Sequence, residues 1–457
     1  MQEAADRRAT LWFLGATAVY FAVQMTQRLA LEGTLEADEA EMLLLGRDWA
    51  WGYGPQPPLY NWMQSLVFSI VGPGTLGLIV LKNFGLWLAA AGMWFAMRQA
   101  FCDRRAATAA ALSLAFLPNI LWEFQRATSH SVALLVAICW TLWAWFRLMA
   151  RQDLWGWMTL GIIMGLGGLS KWNYWAVPAG LAIASIGFWP QRVQVGGAAR
   201  AGAVAALIVA AFYYWAATNP TSSMTSLYKF YSRPGLFPWA LGLDVLMANV
   251  VIGLALPLII GGGLWAFATR GKLGPVPMAT RLLFRAAAVT LIVTAVLVVA
   301  FGVTNIQARW LVPILIFASA AGFGWLGRAL SARTFRTVPA LAVVCAAITV
   351  LGMAEVRTGS TATRDLSPLS DLITQLQPDR IEAGYYLAGN LKLIYPERDI
   401  KGTGATALRG DWPQRLLILG DIPPGVTTVA GGELQLASSS SRSHPYPVKW
   451  HMVAPPG

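Results

Sequence analysis

Charged residues are scarce in this chain: 12% of its 457 residues are Asp, Glu, Lys or Arg, against 56% hydrophobic residues. A water-facing globule could not hide that much apolar surface. A soluble enzyme is therefore excluded, and the mean hydropathy of +0.53 points to a chain that crosses a membrane many times. Histidine and cysteine are scarcer still, with three of each. Cys102 falls in a loop, and Cys139 and Cys345 lie inside apolar segments, so no pair is placed for a disulfide. Their spacing leaves a divalent metal open without a clear ligand set for one, and no cofactor is fixed by the sequence. A Gly-rich phosphate loop is also missing, which removes support for a nucleotide-linked substrate. No internal repeat of the inverted-topology kind is visible.

What the chain does have is about eleven apolar segments between residues 10 and 354. The first, Thr10 to about Ala30, lacks a small-residue cleavage site and is long enough to span, so it reads as a retained helix rather than a signal peptide. Further spans are expected at about 75–97, 105–122, 130–149, 154–170, 173–189, 198–218, 240–267, 284–303, 309–327 and 337–354. The loops on one side hold sixteen Lys or Arg against four acids, and those on the other hold seven of each sign. The positive-inside rule makes the first side cytoplasmic. This asymmetry already accounts for the net charge of +12, so no nucleic-acid partner is implied. Trp49, Trp51, Trp62, Trp122, Trp172, Trp175, Trp215 and Trp239 cluster near expected outer boundaries, as a headgroup belt would.

The expected fold is thus a polytopic α-helical membrane protein of about 11 transmembrane helices. Residues 31–74 form a long outer loop, in which Glu36 to Trp51 reads as an amphipathic helix lying on the membrane surface. An odd number of spans leaves residues 355–457 outside the cytoplasm. That tail balances ten basic with ten acidic residues, and carries a helical pattern at Ser367 to Leu376 and strand-like runs at Arg415–Gly420 and Val426–Ala430. A small C-terminal extracytoplasmic α/β domain is expected there.

Five of the seven outer-loop acids crowd into Glu32–Glu41. Asp38 and Glu39 are the candidate catalytic residues, but neighbours project about 100° apart on a helix and cannot both address one atom. One carboxylate is then the actor. A lone base suffices to deprotonate an acceptor hydroxyl when the other reactant carries a good leaving group such as phosphate; the alternative is a merely solvated acidic loop. Outward-facing cations also need a reason. Lys171, Arg309, Arg126 and Lys82 lie at or just inside the outer ends of expected spans, where they either bind a lipid phosphate or snorkel to the headgroups. His130, four residues beyond Arg126, is either a polar contact for substrate or a satisfied helix-end histidine.

Three stretches carry a resemblance: Ala37-Asp-Glu-Ala-Glu41, Tyr53-Gly-Pro-Gln-Pro-Pro-Leu-Tyr-Asn-Trp62 and Gln307-Ala-Arg-Trp-Leu-Val-Pro313. Together with the hydropathy, the pattern over residues 10 to about 330 resembles the C-type, polyprenyl-phosphate-sugar-dependent glycosyltransferases. The similarity is to the branch with protein O-mannosyltransferases, lipid A aminoarabinose transferases and rhizobial galacturonosyltransferases. The resemblance implies a transmembrane catalytic domain over residues 1–354, a catalytic outer loop at 31–74 and a periplasmic domain at 355–457. It makes Asp38 the general base, and places Gln56, Tyr60 and His130 toward substrate and the four cations toward the donor phosphate. The implied activity is inverting transfer of a sugar from a polyprenyl phosphate to lipid A, lipopolysaccharide core or another envelope acceptor, at the periplasmic face of a bacterial inner membrane. Two departures stand out. Pro55-Gln56 replaces the Glu-Lys or His found in relatives, and Ala127 follows Arg126 where an Asp is common. The competing readings are a lipid-linked-sugar transporter or flippase, and a non-catalytic envelope-assembly scaffold. The scarcity of ionisable residues at span centres favours the enzyme over the transporter.

Overall fold

A computed structural model describes residues 2–31, 33–189, 193–231, 233, 235, 237–268, 273–359, 364–402, 415–421, 428–437 and 446–453. The chain opens with helix α1 (Gln2–Ala30), followed by the short α2 (Ala37–Leu45), α3 (Leu59–Val71) and α4 (Thr75–Ala100). Among the described residues eight helices are long and apolar enough to cross a membrane, or nine if a bent pair counts as one span.

The remaining expected spans take other forms. The segment expected at 105–122 breaks at Leu117–Pro118 and bends by 62°, because the residue before a proline is pushed out of the helical region; Leu117 has φ −93° and ψ 107°. The segments expected at 154–170 and 173–189 become helices of 15 and 9 residues, Leu154–Gly168 and Ala176–Ala184. The chain interrupts them at Lys171, whose backbone is extended. The surface helix expected over 36–51 is shorter too, since α2 stops at Gly46.

Small residues let the helices approach. Gly161 and Gly165 lie against Ala201 and Ile208 of the Val195–Thr218 helix, and an added Cβ at either glycine would come within 2.7 Å of those neighbours. In a membrane such contacts supply packing that apolarity alone cannot. The large core runs through α4, His130–Ala150 and Val312–Ala329, with Trp94, Ile138 and Phe317 at its centre.

The C-terminal unit is a five-stranded sheet with helices Ser367–Leu376 and Tyr385–Ile394. Strands β1 (Arg380–Ala383), β2 (Asp399–Gly402), β3 (Leu416–Leu419), β4 (Thr428–Leu436) and β5 (Tyr446–Val453) are ordered β2-β1-β3-β5-β4. The β1 pairings are parallel, and β3–β5 and β5–β4 are antiparallel. Every side chain of β3 is buried, which explains its unbroken Leu-Leu-Ile-Leu sequence. The helix at Ser367–Leu376 lies where the sequence pattern placed it. Of the two strand-like runs, one is β3 and the other begins at Thr428, its first two residues falling outside the described ones.

Candidate active site

Successive residues of α2 turn by about 100°, which gives this short helix three sides. Asp38 and Glu41 share one, Glu39 and Leu43 the next, Ala40 and Leu44 the third. The helix is closed at its start by its own sequence, since the Glu39 carboxylate accepts the Glu36 backbone N–H at 3.2 Å in a capping-box arrangement.

The Glu39 side turns into the bundle. Its carboxylate stands 2.8 Å from Lys82 of α4, 3.4 Å from Arg28 of α1 and 3.9 Å from Arg357 of the last span, and the side chain is 2% exposed. Burial on its own would raise the pKa of Glu39, but Lys82, Arg357 and Arg28 more than reverse it and hold the carboxyl below its usual range. Glu39 and Lys82 are therefore not brought to the Asp38 side. A buried carboxylate needs paired cations, and these two residues satisfy one another. Arg126 is likewise engaged, by Glu36 at 3.0 Å and Glu123 at 3.2 Å, so it braces the start of α2.

The Asp38 side chain is 32% exposed. Arg309, from a short turn at Ala308–Trp310, reaches to 3.7 Å of its carboxylate while its Nε donates to Gln307 at 2.8 Å. Lys171 is 7% exposed, and its ammonium donates to the Ser131 hydroxyl at 2.8 Å. Its pKa is lowered to about 7, chiefly by burial and then by the Arg309 charge, with Asp38 pulling the other way. Those mutual effects put Asp38, Arg309 and Lys171 in one electrostatic neighbourhood.

Three adjacent side chains hold this neighbourhood together. Lys171 ties to Ser131, the Trp172 indole donates to Pro55 O at 2.8 Å, and the Asn173 amide donates to Trp310 O at 2.9 Å. One tripeptide thus joins the His130–Ala150 helix, the Pro55–Gln56 loop and the Arg309 turn. Tyr60 and His130 are buried with ring centroids 5.9 Å apart. Gln56 Oε1, His130 Nδ1 and Asn173 Oδ1 are buried atoms without a hydrogen-bond partner in the protein, so they can receive polar groups.

Glu41 and Asn173 escaped the sequence reading. Glu41 lies three residues after Asp38, about 60° away on the same side, and that spacing was the available signal. Its pKa is raised to about 7 by burial and then by the Asp38 charge, with Lys229 and Arg309 opposing. Among the described residues no three His, Cys, Asp or Glu side chains converge as a metal-ion set.

Comparison with known proteins adds family and fold. Residues 55–219 match the family model of the dolichyl-phosphate-mannose-protein mannosyltransferases. The chain is 30% identical over 398 residues to the lipopolysaccharide core galacturonosyltransferase RgtA of Rhizobium johnstonii, covering 83% of this chain and 80% of the relative. It is 28% identical over 435 residues to RgtB of the same organism, covering 89% and 85%. Its fold is similar to that of ArnT from Cupriavidus metallidurans, solved in the apo state and bound to undecaprenyl phosphate. The TM-score is 0.61 at 14% and 15% identity, over 97% of this chain and 98% of that one.

Proposed function

The chain belongs to the family of multi-pass membrane glycosyltransferases that holds the rhizobial lipopolysaccharide core galacturonosyltransferases, and from that premise we propose that it transfers a galacturonosyl residue from a polyprenyl phosphate donor to lipopolysaccharide core. The reaction takes place at the periplasmic face of the inner membrane. Asp38 removes the proton of the acceptor hydroxyl as its oxygen bonds to the anomeric carbon. The bond from that carbon to the phosphate oxygen breaks on the opposite face, with inversion, and its electron pair leaves on the phosphate. Lys171 and Arg309 hold the leaving phosphate and stabilise its growing charge.

One observation carries the reading: a partly exposed carboxylate stands 3.7 Å from Arg309 and feels the charge of Lys171, cations contributed by separate segments, with buried polar atoms of His130 and Asn173 in the same neighbourhood. The relatives support a uronic acid, and the cations here can receive one. A uronosyl phosphodiester brings two anionic groups, and Lys229 joins Lys171 and Arg309 in acting on this neighbourhood. The sugar's hydroxyls would meet Gln56, His130 and Asn173. The test is mass spectrometry of core oligosaccharide and lipid A from cells with and without the gene, followed by transfer in detergent with synthetic polyprenyl phosphate galacturonic acid. Loss of one hexuronic acid from the core is the expected result. Unchanged core and lipid A, or loss of a neutral sugar only, would refute the assignment.

A further inference from the structure

The third side of α2 faces the C-terminal unit, and the contact is close. The Asn390 amide both accepts the Leu35 N–H at 2.7 Å and donates to Leu35 O at 3.1 Å, with both residues buried. Beside it Gly389 lies directly on α2: a Cβ there would be 2.6 Å from Ala40 Cα and Cβ and closer still to its carbonyl oxygen. Leu44 extends from α2 to pack against the apolar core of the sheet unit. Tyr386 adds a hydroxyl contact to Thr34 at 3.4 Å. The segment bearing Asp38 is therefore held on one side by the Glu39 cluster of the bundle and on the other by the C-terminal unit, chiefly its Tyr385–Ile394 helix.

We propose that the C-terminal unit is a clamp that aims the catalytic carboxylate, with Gly389 and Asn390 as positioning residues that fix α2 through Leu35 and Ala40. This rests on the functional reading above. Neither residue touches substrate. The donor phosphate is held by Lys171 and Arg309, which come from elsewhere in the chain, so loosening the clamp moves the base while leaving donor binding in place. Nine residues make a helix too short to hold its own direction, because isolated helices of this length are unstable in water. Its direction comes from what grips it.

The test uses the full-length protein with Gly389→Ala, Asn390→Leu and Asn390→Asp, and with Gly384→Ala as the control, since a Cβ at Gly384 meets only open space. Turnover and donor KM are measured together with amide hydrogen exchange over residues 35–45 and over β3. Gly389→Ala and Asn390→Leu should lower kcat on the order of 100-fold, the usual consequence of a shift of about 1 Å in a reacting group, with donor KM unchanged. Asn390→Asp keeps the acceptor for the Leu35 N–H and should fall between. Exchange at 35–45 should quicken while β3 stays protected. Wild-type kcat in Gly389→Ala and Asn390→Leu would overturn the proposal. So would equal loss of protection in β3, because the unit would then matter only by being folded. A wild-type protein that transfers no sugar from any lipid-phosphate donor would refute the functional reading instead, and slow exchange at 35–45 in both variants would still refute the clamp.

Discussion

Lys171→Met separates phosphate binding from structure, because the two roles predict opposite signs. The free protein holds Lys171 near pKa 7, mainly through burial. About nine-tenths of the molecules then carry the charge at pH 6 and about one-tenth at pH 8. An anionic phosphate arriving at the ammonium favours the charged form, so donor binding near neutrality takes up a proton. Affinity should fall by about tenfold for each pH unit above 7. A charge-assisted contact contributes about 1.5–3 kcal/mol, so removing the cation should weaken donor binding by roughly 10–150-fold. Stability moves the other way. The unfolded chain binds the proton between pH 7 and the ordinary lysine value and the folded chain does not, so stability rises with pH across that window. Deleting the buried cation should leave the melting temperature unchanged or raise it. Calorimetric titration with a polyprenyl phosphate, in two buffers of different ionisation enthalpy, reads affinity and proton uptake together. Binding that is independent of pH, or identical in Lys171→Met, would refute the argument.

The two adjacent acids should part company. Asp38→Asn should cut transfer by about 10²–10⁴-fold in a protein of normal stability, whereas Glu39→Gln strips the partner from buried cations and should cost about 3–5 kcal/mol in detergent unfolding; a stable but inactive Glu39→Gln would reverse the roles. Trp172→Phe removes the bond to Pro55 O, worth about 1 kcal/mol, and should raise donor KM several-fold; an unchanged KM would show that the loop is held by other contacts. For topology, alkaline phosphatase fused after Gly402 should be active and a fusion between 270 and 281 inactive, and the opposite pattern would invert the orientation.

The apolar bundle and the cations at the ends of its helices were legible in the sequence because both depend on local composition: long apolar runs span, and Lys or Arg at a span end is conspicuous. Arg309 and Lys171 stood out for that reason, and the structure brings them to Asp38. The Glu39 cluster was not legible. It joins residues 28, 39, 82 and 357, and no spacing rule relates positions so far apart. Lys82 was read toward phosphate because hydropathy places a residue along a span without saying which way it points. Glu41 was overlooked for a different reason. Adjacency in sequence joins Glu39 to Asp38, but helical geometry puts the residue three further on beside it. The short spans on either side of Lys171 scored as full crossings because apolar content does not register where the backbone turns. Strands β1 and β2, of four residues each, are too brief for alternation to declare itself.

Two of the three ties made by the Lys171–Asn173 tripeptide end on main-chain carbonyls, at Pro55 and Trp310. Every residue type carries such a carbonyl. Positions 55 and 310 can therefore change side chain without removing an acceptor, and the frame of the pocket survives substitutions that would destroy a side-chain network. The scaffold in this way separates what stays fixed, the spacing of Lys171 and Arg309, from what can be rewritten by selection, the side chains at positions 55 and 310.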